Sequence, residues 1–81
     1  MAYLPTIEID GMADPVVQIV REPGGEILYT LRIKGNTFRP KVFTLGTYSI
    51  HVGEPDTKRR KTITGVPSLP PTAARTLRVD L

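Results

Sequence analysis

The chain has 81 residues, with 8 prolines, 7 glycines, no cysteine and no tryptophan, and its formal net charge is +3. This length allows one domain with a single small core, and without cysteine no disulfide can stabilise it. The charge is only mildly basic, below the bias of a dedicated nucleic-acid-binding protein, and no apolar run approaches the roughly 20 residues of a membrane helix.

Short segments of alternating polarity follow one another along the chain and predict strands. The predicted strands cover residues 6–10, 16–21, 26–34, 38–45, 47–52, 58–64 and 75–81. The first is expected at a sheet edge. Pro40 cannot donate a ladder hydrogen bond, so segment 38–45 is expected to lie at an edge or to be kinked.

Proline and glycine mark the turns between these segments. Glu22-Pro23-Gly24-Gly25 and residues 54–57 predict hairpin turns, whereas the Pro-rich stretch 66–71 is extended. No window has a helical period. Seven short alternating segments with regular turn signals predict an all-β sandwich that forms one domain over residues 1–81.

The segment 43–52 is the strongest indicator of the fold. Tyr48, Ile50 and Val52 alternate with polar residues, and Gly46 precedes Tyr48 by two positions. This spacing is typical of a tyrosine corner, in which the ring packs inward and the hydroxyl bonds to upstream backbone.

A hydrophobic core is predicted from the residues that this strand and its neighbours turn inward. Along 26–34, Ile27, Tyr29, Leu31 and Ile33 are expected to share the inward face. The predicted centre of the core consists of Phe43, Tyr48, Tyr29, Leu31 and Ile50.

The stretch from Val42 to Val52 resembles a signature of immunoglobulin-like, fibronectin type III-like and transthyretin-like (carboxypeptidase regulatory-like) sandwich domains. Tyr48 would open the penultimate strand, and Ile50 would stand where immunoglobulin domains carry their second cysteine. The chain lacks the partner cysteine and the core tryptophan of those domains, so the strand order stays open.

The resemblance implies an accessory module of the kind appended to bacterial exported hydrolases and surface proteins. The chain is accordingly expected to be excised from a longer, exported protein, although its first residues lack the features of a signal peptide. A non-catalytic role without a cofactor is expected, with a neighbouring domain or another protein as the partner. Carbohydrate and polyanion partners stay open, whereas nucleic acid is not expected.

Catalytic and metal-binding chemistry have little support in the sequence. Ser49 and His51 share one strand face, but neighbours at i and i+2 do not place a hydroxyl against an imidazole for attack. The acidic residues Asp10, Asp14, Glu54 and Asp56 do not match the spacing of a calcium loop, and acidic residues commonly stabilise turns.

The distinctive charge feature is the run Lys58-Arg59-Arg60-Lys61, with Arg32 and Lys34 on another strand. One hypothesis is a polyanion-binding patch formed by all six residues. The favoured hypothesis is protection of an edge strand by positive charge. Counting back by twos from Ile63 places Lys61 and Arg59 on the core side, so the run either contains a bulge or projects beyond the core.

Overall fold

The computed structural model describes residues 2–81, which form nine strands and no helix. The strands are β1 (Ala2–Tyr3), β2 (Thr6–Asp10), β3 (Val16–Arg21), β4 (Glu26–Arg32), β5 (Thr37–Phe38), β6 (Lys41–Val42), β7 (Thr47–Gly53), β8 (Arg60–Pro67) and β9 (Thr76–Asp80). The all-β prediction is confirmed. The predicted strand over 38–45 is replaced by the two-residue strands β5 and β6, with Pro40 between them.

The largest sheet has four antiparallel strands in the order β4-β3-β7-β8. Both predicted hairpins form, because the turn at 22–25 joins β3 to β4 and residues 54–59 join β7 to β8. Alternate residues of the two central strands are fully buried, as a strand with one face in a core requires. They are Val17 and Ile19 in β3, and Tyr48, Ile50 and Val52 in β7.

The strand β2 lies in the middle of a three-stranded sheet with the order β5-β2-β9. The prediction of an edge position for residues 6–10 is wrong, because β5 pairs with one side of β2 and the C-terminal strand β9 with the other. The β2–β9 pair is parallel and in register from Thr6 opposite Thr76 onward. Alternation along β2 predicts its buried face, but it carries no information about lateral neighbours.

One hydrophobic core receives residues from these two sheets and from the short β1–β6 pair. Tyr48 is the largest fully buried side chain in it. The Tyr48 hydroxyl donates to the carbonyl oxygen of Thr44 at 2.6 Å and lies 3.0 Å from the Thr44 hydroxyl. These contacts tie the loop after β6 to the beginning of β7.

The β3–β4 hairpin contains a bulge that changes the direction of one side chain. Tyr29 pairs with Ile19 and Ile27 pairs with Val20, so Leu28 has no partner in β3. The prediction that Ile27 shares the inward face of Tyr29 is wrong, because the extra residue reverses the alternation. The Ile27 side chain is 57% exposed.

The β7–β8 hairpin contains a second bulge, opposite Ser49. Gly65 adopts a φ of 66° there, in the left-handed region that glycine accepts without a steric penalty. The Glu22 carboxylate accepts hydrogen bonds from the Ser49 hydroxyl at 2.6 Å and from the Gly65 N–H at 2.9 Å. Both hydrogen bonds lower the pKa of Glu22, and the bond from Ser49 has the larger effect.

Phe43 lies outside the core, contrary to its prediction. Its side chain is 72% exposed and that of Leu45 is 78% exposed. Val42 ends β6 with its side chain buried, and Phe43 follows it in the loop over residues 43–46. The other predicted core residues are buried or packed against the core: Tyr29, Leu31, Tyr48 and Ile50.

Candidate interaction surface

An open apolar cleft lies between β4 of the largest sheet and the segment that contains β5 and β6. Its volume is about 330 Å³. The lining residues are Tyr29, Leu31, Phe38, Arg39, Lys41 and Phe43. This surface, which we call the β4 cleft, is concave and largely apolar, as sites that bind ligands or partner side chains are.

The β4 cleft exists because the strands on its two sides do not pair with each other. In the described residues 2–81, β5 pairs with β2 and β6 pairs with β1, while β4 pairs with β3. The Tyr29 hydroxyl spans the gap and donates to the carbonyl oxygen of Lys41 at 2.9 Å. Burial raises the pKa of Tyr29, so the hydroxyl remains a donor at neutral pH.

The two cations of the cleft differ in what they contact. The Arg39 guanidinium donates to the carbonyl oxygens of Pro71 and Ala73, at 3.0 and 3.2 Å, and lies 4.0 Å from the ring centroid of Tyr3. Lys41, by contrast, is exposed and forms no ion pair with any residue of the described chain. The charge of Lys41 is therefore the one available to a bound group.

The loop that carries Phe43 and Leu45 is held in place at several points. The Gly46 N–H donates to the Ser68 hydroxyl, and the Ser68 N–H donates to the Gly46 carbonyl oxygen, each at 2.9 Å. Together with the bond that Thr44 accepts, these contacts fix the loop at Thr44, between its two apolar residues, and at Gly46, after them. The exposed apolar groups are thus presented by an ordered backbone.

Arg32, one of the six predicted anion-binding residues, has an acidic partner. Its guanidinium donates to both carboxylate oxygens of Glu54, at 2.8 and 3.2 Å, and to the carbonyl oxygen of Asp14 at 2.9 Å. The Glu54 hydrogen bond raises the pKa of Arg32, and the bond from Arg32 lowers the pKa of Glu54. The charge of Arg32 is largely neutralised by this bidentate pair.

The basic run lies before and at the beginning of β8, which is a terminal strand of the largest sheet. Arg59 donates to the carbonyl oxygen of Gly11, and Arg60 donates to the side-chain oxygen of Gln18 at 3.4 Å. Lys61 pairs with Val52, so it lies on the core side of the sheet as the alternation predicts, but it is exposed. The run therefore projects beyond the core.

Three lysines of the predicted patch form no ion pair within residues 2–81: Lys34, Lys58 and Lys61. Lys34 lies in the turn after β4, whereas the other two belong to the β7–β8 hairpin. These three lysines are therefore divided between the loop from β4 to β5 and the β7–β8 hairpin.

Ser49 and His51 have separate hydrogen-bond partners. The Ser49 hydroxyl donates to Glu22, whereas Nδ1 of His51 lies 2.7 Å from the hydroxyl of Thr62. Burial and, to a smaller extent, the charge of Arg60 lower the pKa of His51. The neutral imidazole forms part of a polar row on the outer face of the sheet.

Two of the four acidic residues weighed as calcium ligands, Asp14 and Glu54, have structural contacts. Asp14 accepts a hydrogen bond from the Gly35 N–H at 2.6 Å and thereby joins two loops, and Glu54 binds Arg32. Within residues 2–81, no group of three or more histidine, cysteine or acidic side chains could hold a metal ion. The same residues contain no helix with the length and apolarity that a membrane crossing needs.

Sequence reasoning placed Phe43 in the core and so missed the cleft. One signal could have located it. In an extended segment, residues two positions apart lie on the same face. Phe43 and Leu45 therefore belong to the same face as Arg39 and Lys41, and buried Val42 belongs to the opposite face. An aromatic residue on the charged face of a segment indicates a contact surface.

Comparison of the chain with protein-family models, with curated proteins and with solved structures found no significant match.

Proposed function

We propose that this chain is a non-catalytic interaction module of a larger, exported bacterial protein, and that it binds a protein partner through the β4 cleft. The observation that carries the proposal is Phe43, 72% exposed at the rim of an apolar cleft of about 330 Å³. Exposed aromatic side chains beside a concave apolar surface are enriched where proteins bind one another. The partner is a neighbouring domain or another protein.

The fold proposed for this module is a β-sandwich, immunoglobulin-like in the broad sense. A single core shared by the two larger sheets supports the sandwich. The bond from the Tyr48 hydroxyl to the Thr44 carbonyl supports a tyrosine corner. The exported bacterial setting follows from the resemblance of the segment around Tyr48 to accessory sandwich domains.

Two contacts support the non-catalytic part of the proposal. The hydroxyl of Ser49 is directed to Glu22, and the imidazole of His51 to Thr62. A nucleophile and its base must share a hydrogen bond, and these two side chains are engaged with different partners.

Site-specific photo-crosslinking in the parent polypeptide tests the proposal. The photoreactive residue benzoylphenylalanine replaces Phe43 in one variant and Leu45 in a matched control, because Leu45 is also exposed and apolar but does not line the cleft. We expect the position-43 variant to crosslink to one defined protein segment, identified by mass spectrometry, and the position-45 variant not to. Equal, diffuse crosslinking from both positions would refute the docking surface.

Polyanion binding is the second candidate, and the exposure of Lys58 and Lys61 is the observation that favours it. If Lys34 joins them, three contacts would give a logarithmic salt slope of about −2.7, that is, about −0.9 for each phosphate neutralised on duplex DNA. A titration with heparin and with a short duplex at two salt concentrations measures this slope. Saturable, salt-sensitive binding that is lost in a Lys58→Ser, Lys61→Ser variant would favour this candidate over the cleft.

A further inference from the structure

The β4 strand has an unpaired edge beside the cleft. Within the described residues, β4 is hydrogen-bonded to β3 on one side, and no strand is hydrogen-bonded to its other side. From Val16 opposite Arg32 to Ile19 opposite Tyr29 the ladder is regular, and the bulge begins only beyond Tyr29. The regular part spans four residues, which is about 13 Å of extended backbone.

The free edge and the β4 cleft are continuous. Tyr29 and Leu31 line the cleft, and they are alternate residues of the same strand. Successive side chains of a strand added to β4 would alternate in the same way, one towards the cleft and the next towards the outer face. A volume of about 330 Å³ lies at the lower end of the 300–1,000 Å³ typical of small-molecule pockets, a size that suits apolar side chains of a peptide.

The charge of the cleft selects among peptides. The six lining residues include two cations and no carboxylate. Arg39 is engaged with carbonyl oxygens and the Tyr3 ring, whereas Lys41 is unpaired within the described chain. A carboxylate on the incoming segment would gain an ion pair at Lys41 without displacing an existing one.

We propose that the partner binds as an extended segment that adds to the β4 edge as a further strand. Its alternate apolar side chains fill the β4 cleft, and an acidic residue pairs with Lys41. Main-chain hydrogen bonds would supply affinity, and the side-chain contacts in the cleft would supply specificity, as in other cases of strand addition. This inference rests on the proposed function, since it specifies the form that the partner takes at the same surface.

A random ten-residue peptide library displayed on phage and selected on the immobilised 81-residue chain provides the probe. We expect the selected peptides to share an alternating apolar pattern with at least one acidic residue. Synthetic copies should slow hydrogen exchange of β4 amides. N-methylation of one alternating set of peptide amides should abolish binding, while methylation of the other set should be tolerated, since alternate N–H groups of a strand point to the same neighbour.

Variants of the chain test the side-chain contacts. Phe43→Ser should weaken peptide binding by about tenfold or more, a loss of about 1.4 kcal/mol. Leu45→Ser is the matched control, because Leu45 is equally exposed in the same loop but does not line the cleft, and it should change the Kd less than twofold. Lys41→Glu should weaken the binding of acidic peptides, because it replaces an attractive charge with a repulsive one. Lys61→Glu should leave the Kd of these peptides unchanged.

Four outcomes would overturn the inference. They are peptides that bind without protecting β4, tolerance of N-methylation in both alternating sets, a dimer formed through β4 that identifies a second copy as the occupant, and a selection without an alternating consensus. The proposed function fails separately, if position 43 yields no defined crosslink in the parent polypeptide.

Discussion

The two outer strands of the largest sheet, β4 and β8, are built differently. The strand β8 begins with Arg60 and Lys61, contains the bulge at Gly65 and ends at Pro67. The strand β4 has charged residues only at its two ends, Glu26 and Arg32, and it contains no proline. Positive charges, bulges and prolines are the devices that prevent unwanted pairing at an edge, and β8 has all three.

This difference separates a protected edge from an available one. The bulge in β4 is confined to Leu28, so the remainder of the strand keeps regular geometry on its free side. The β4 edge also lies beside the apolar cleft, where an added strand would bury its side chains. The two edges of this sheet thus differ in how readily each could accept a further strand.

The largest expected effect comes from the base of the β8 hairpin. Gly53 has a φ of 130°, and a Cβ there would overlap the carbonyl of Arg59 and lie 2.8 Å from the Cα of Arg60. We expect Gly53→Ala to cost about 3 kcal/mol or more, from backbone strain and the clash. Chemical denaturation followed by circular dichroism measures this cost.

The matched control lies in the β4 hairpin. A Cβ at Gly24 would meet nothing within 4 Å. Gly24→Ala should therefore change the free energy of unfolding by no more than about 0.5 kcal/mol. Equal losses in the two variants would show that the backbone strain and the clash at Gly53 do not determine the cost of its replacement.

A smaller effect is expected at Tyr48, which connects the core to the loop that bears Phe43. Tyr48→Phe removes the hydroxyl that donates to Thr44, and the Thr44 carbonyl then loses its partner. We expect a loss of about 1–1.5 kcal/mol in the free energy of unfolding, the net contribution of one hydrogen bond. A wild-type denaturation midpoint with an unchanged slope would mean that the hydroxyl does not hold the loop.

Acid should act on the bulge of the β8 hairpin through Glu22. Because hydrogen bonds lower the folded-state pKa of Glu22, its stabilising contribution is complete above the ordinary glutamate pKa of about 4.3. The contribution is lost as the pH falls from there through the lower, folded-state value. Glu22→Gln should reduce stability at neutral pH and flatten its decline in acid, as measured by urea denaturation at pH 6 and pH 3.

Glu26→Gln removes an exposed carboxylate from the neighbouring strand and is the control for the loss of one charge. If Glu22→Gln followed the wild-type profile, or if the two variants behaved alike, charge on Glu22 would not stabilise the bulge.

Substitutions on the two edges should have the smallest effect on folding. Their effect on self-association compares the two edges most directly. Ile27→Lys adds a charge to β4, and Lys58→Ser with Lys61→Ser removes two from the β8 hairpin. Each surface variant should alter the free energy of unfolding by no more than about 0.5 kcal/mol. In a light-scattering time course, Ile27→Lys should associate more slowly than wild type and the double variant faster. The reverse order of association rates would identify β8 as the edge through which copies of the chain pair.

The local part of this fold was predictable from the sequence. Turn chemistry located both hairpins, and the alternation in β3 and β7 identified the buried faces, because these signals depend on neighbouring residues. The position of β2 was mispredicted, since its pairing with β9 joins the two ends of the chain and leaves no local trace.

The candidate site was less predictable than the fold. The bulge at Leu28 reverses the direction of Ile27 without a glycine or proline to signal it. Phe43 was assigned to the core on hydrophobicity alone, whereas β6 ends one residue earlier at Val42. Apolar residues in loops contact either the core or a partner, and composition does not distinguish the two.

The parallel pairing of β2 with β9 also determines how the domain would respond to mechanical force. Thr6 lies beside Thr76 and Asp10 beside Asp80, so the chain enters this ladder at one end and leaves it at the other, about 16 Å away. A pull on the two flanking segments would draw β2 and β9 along their axes in opposite directions. The hydrogen bonds between them would then be loaded together in shear, instead of opening one after another, which is the geometry of a tension-bearing link.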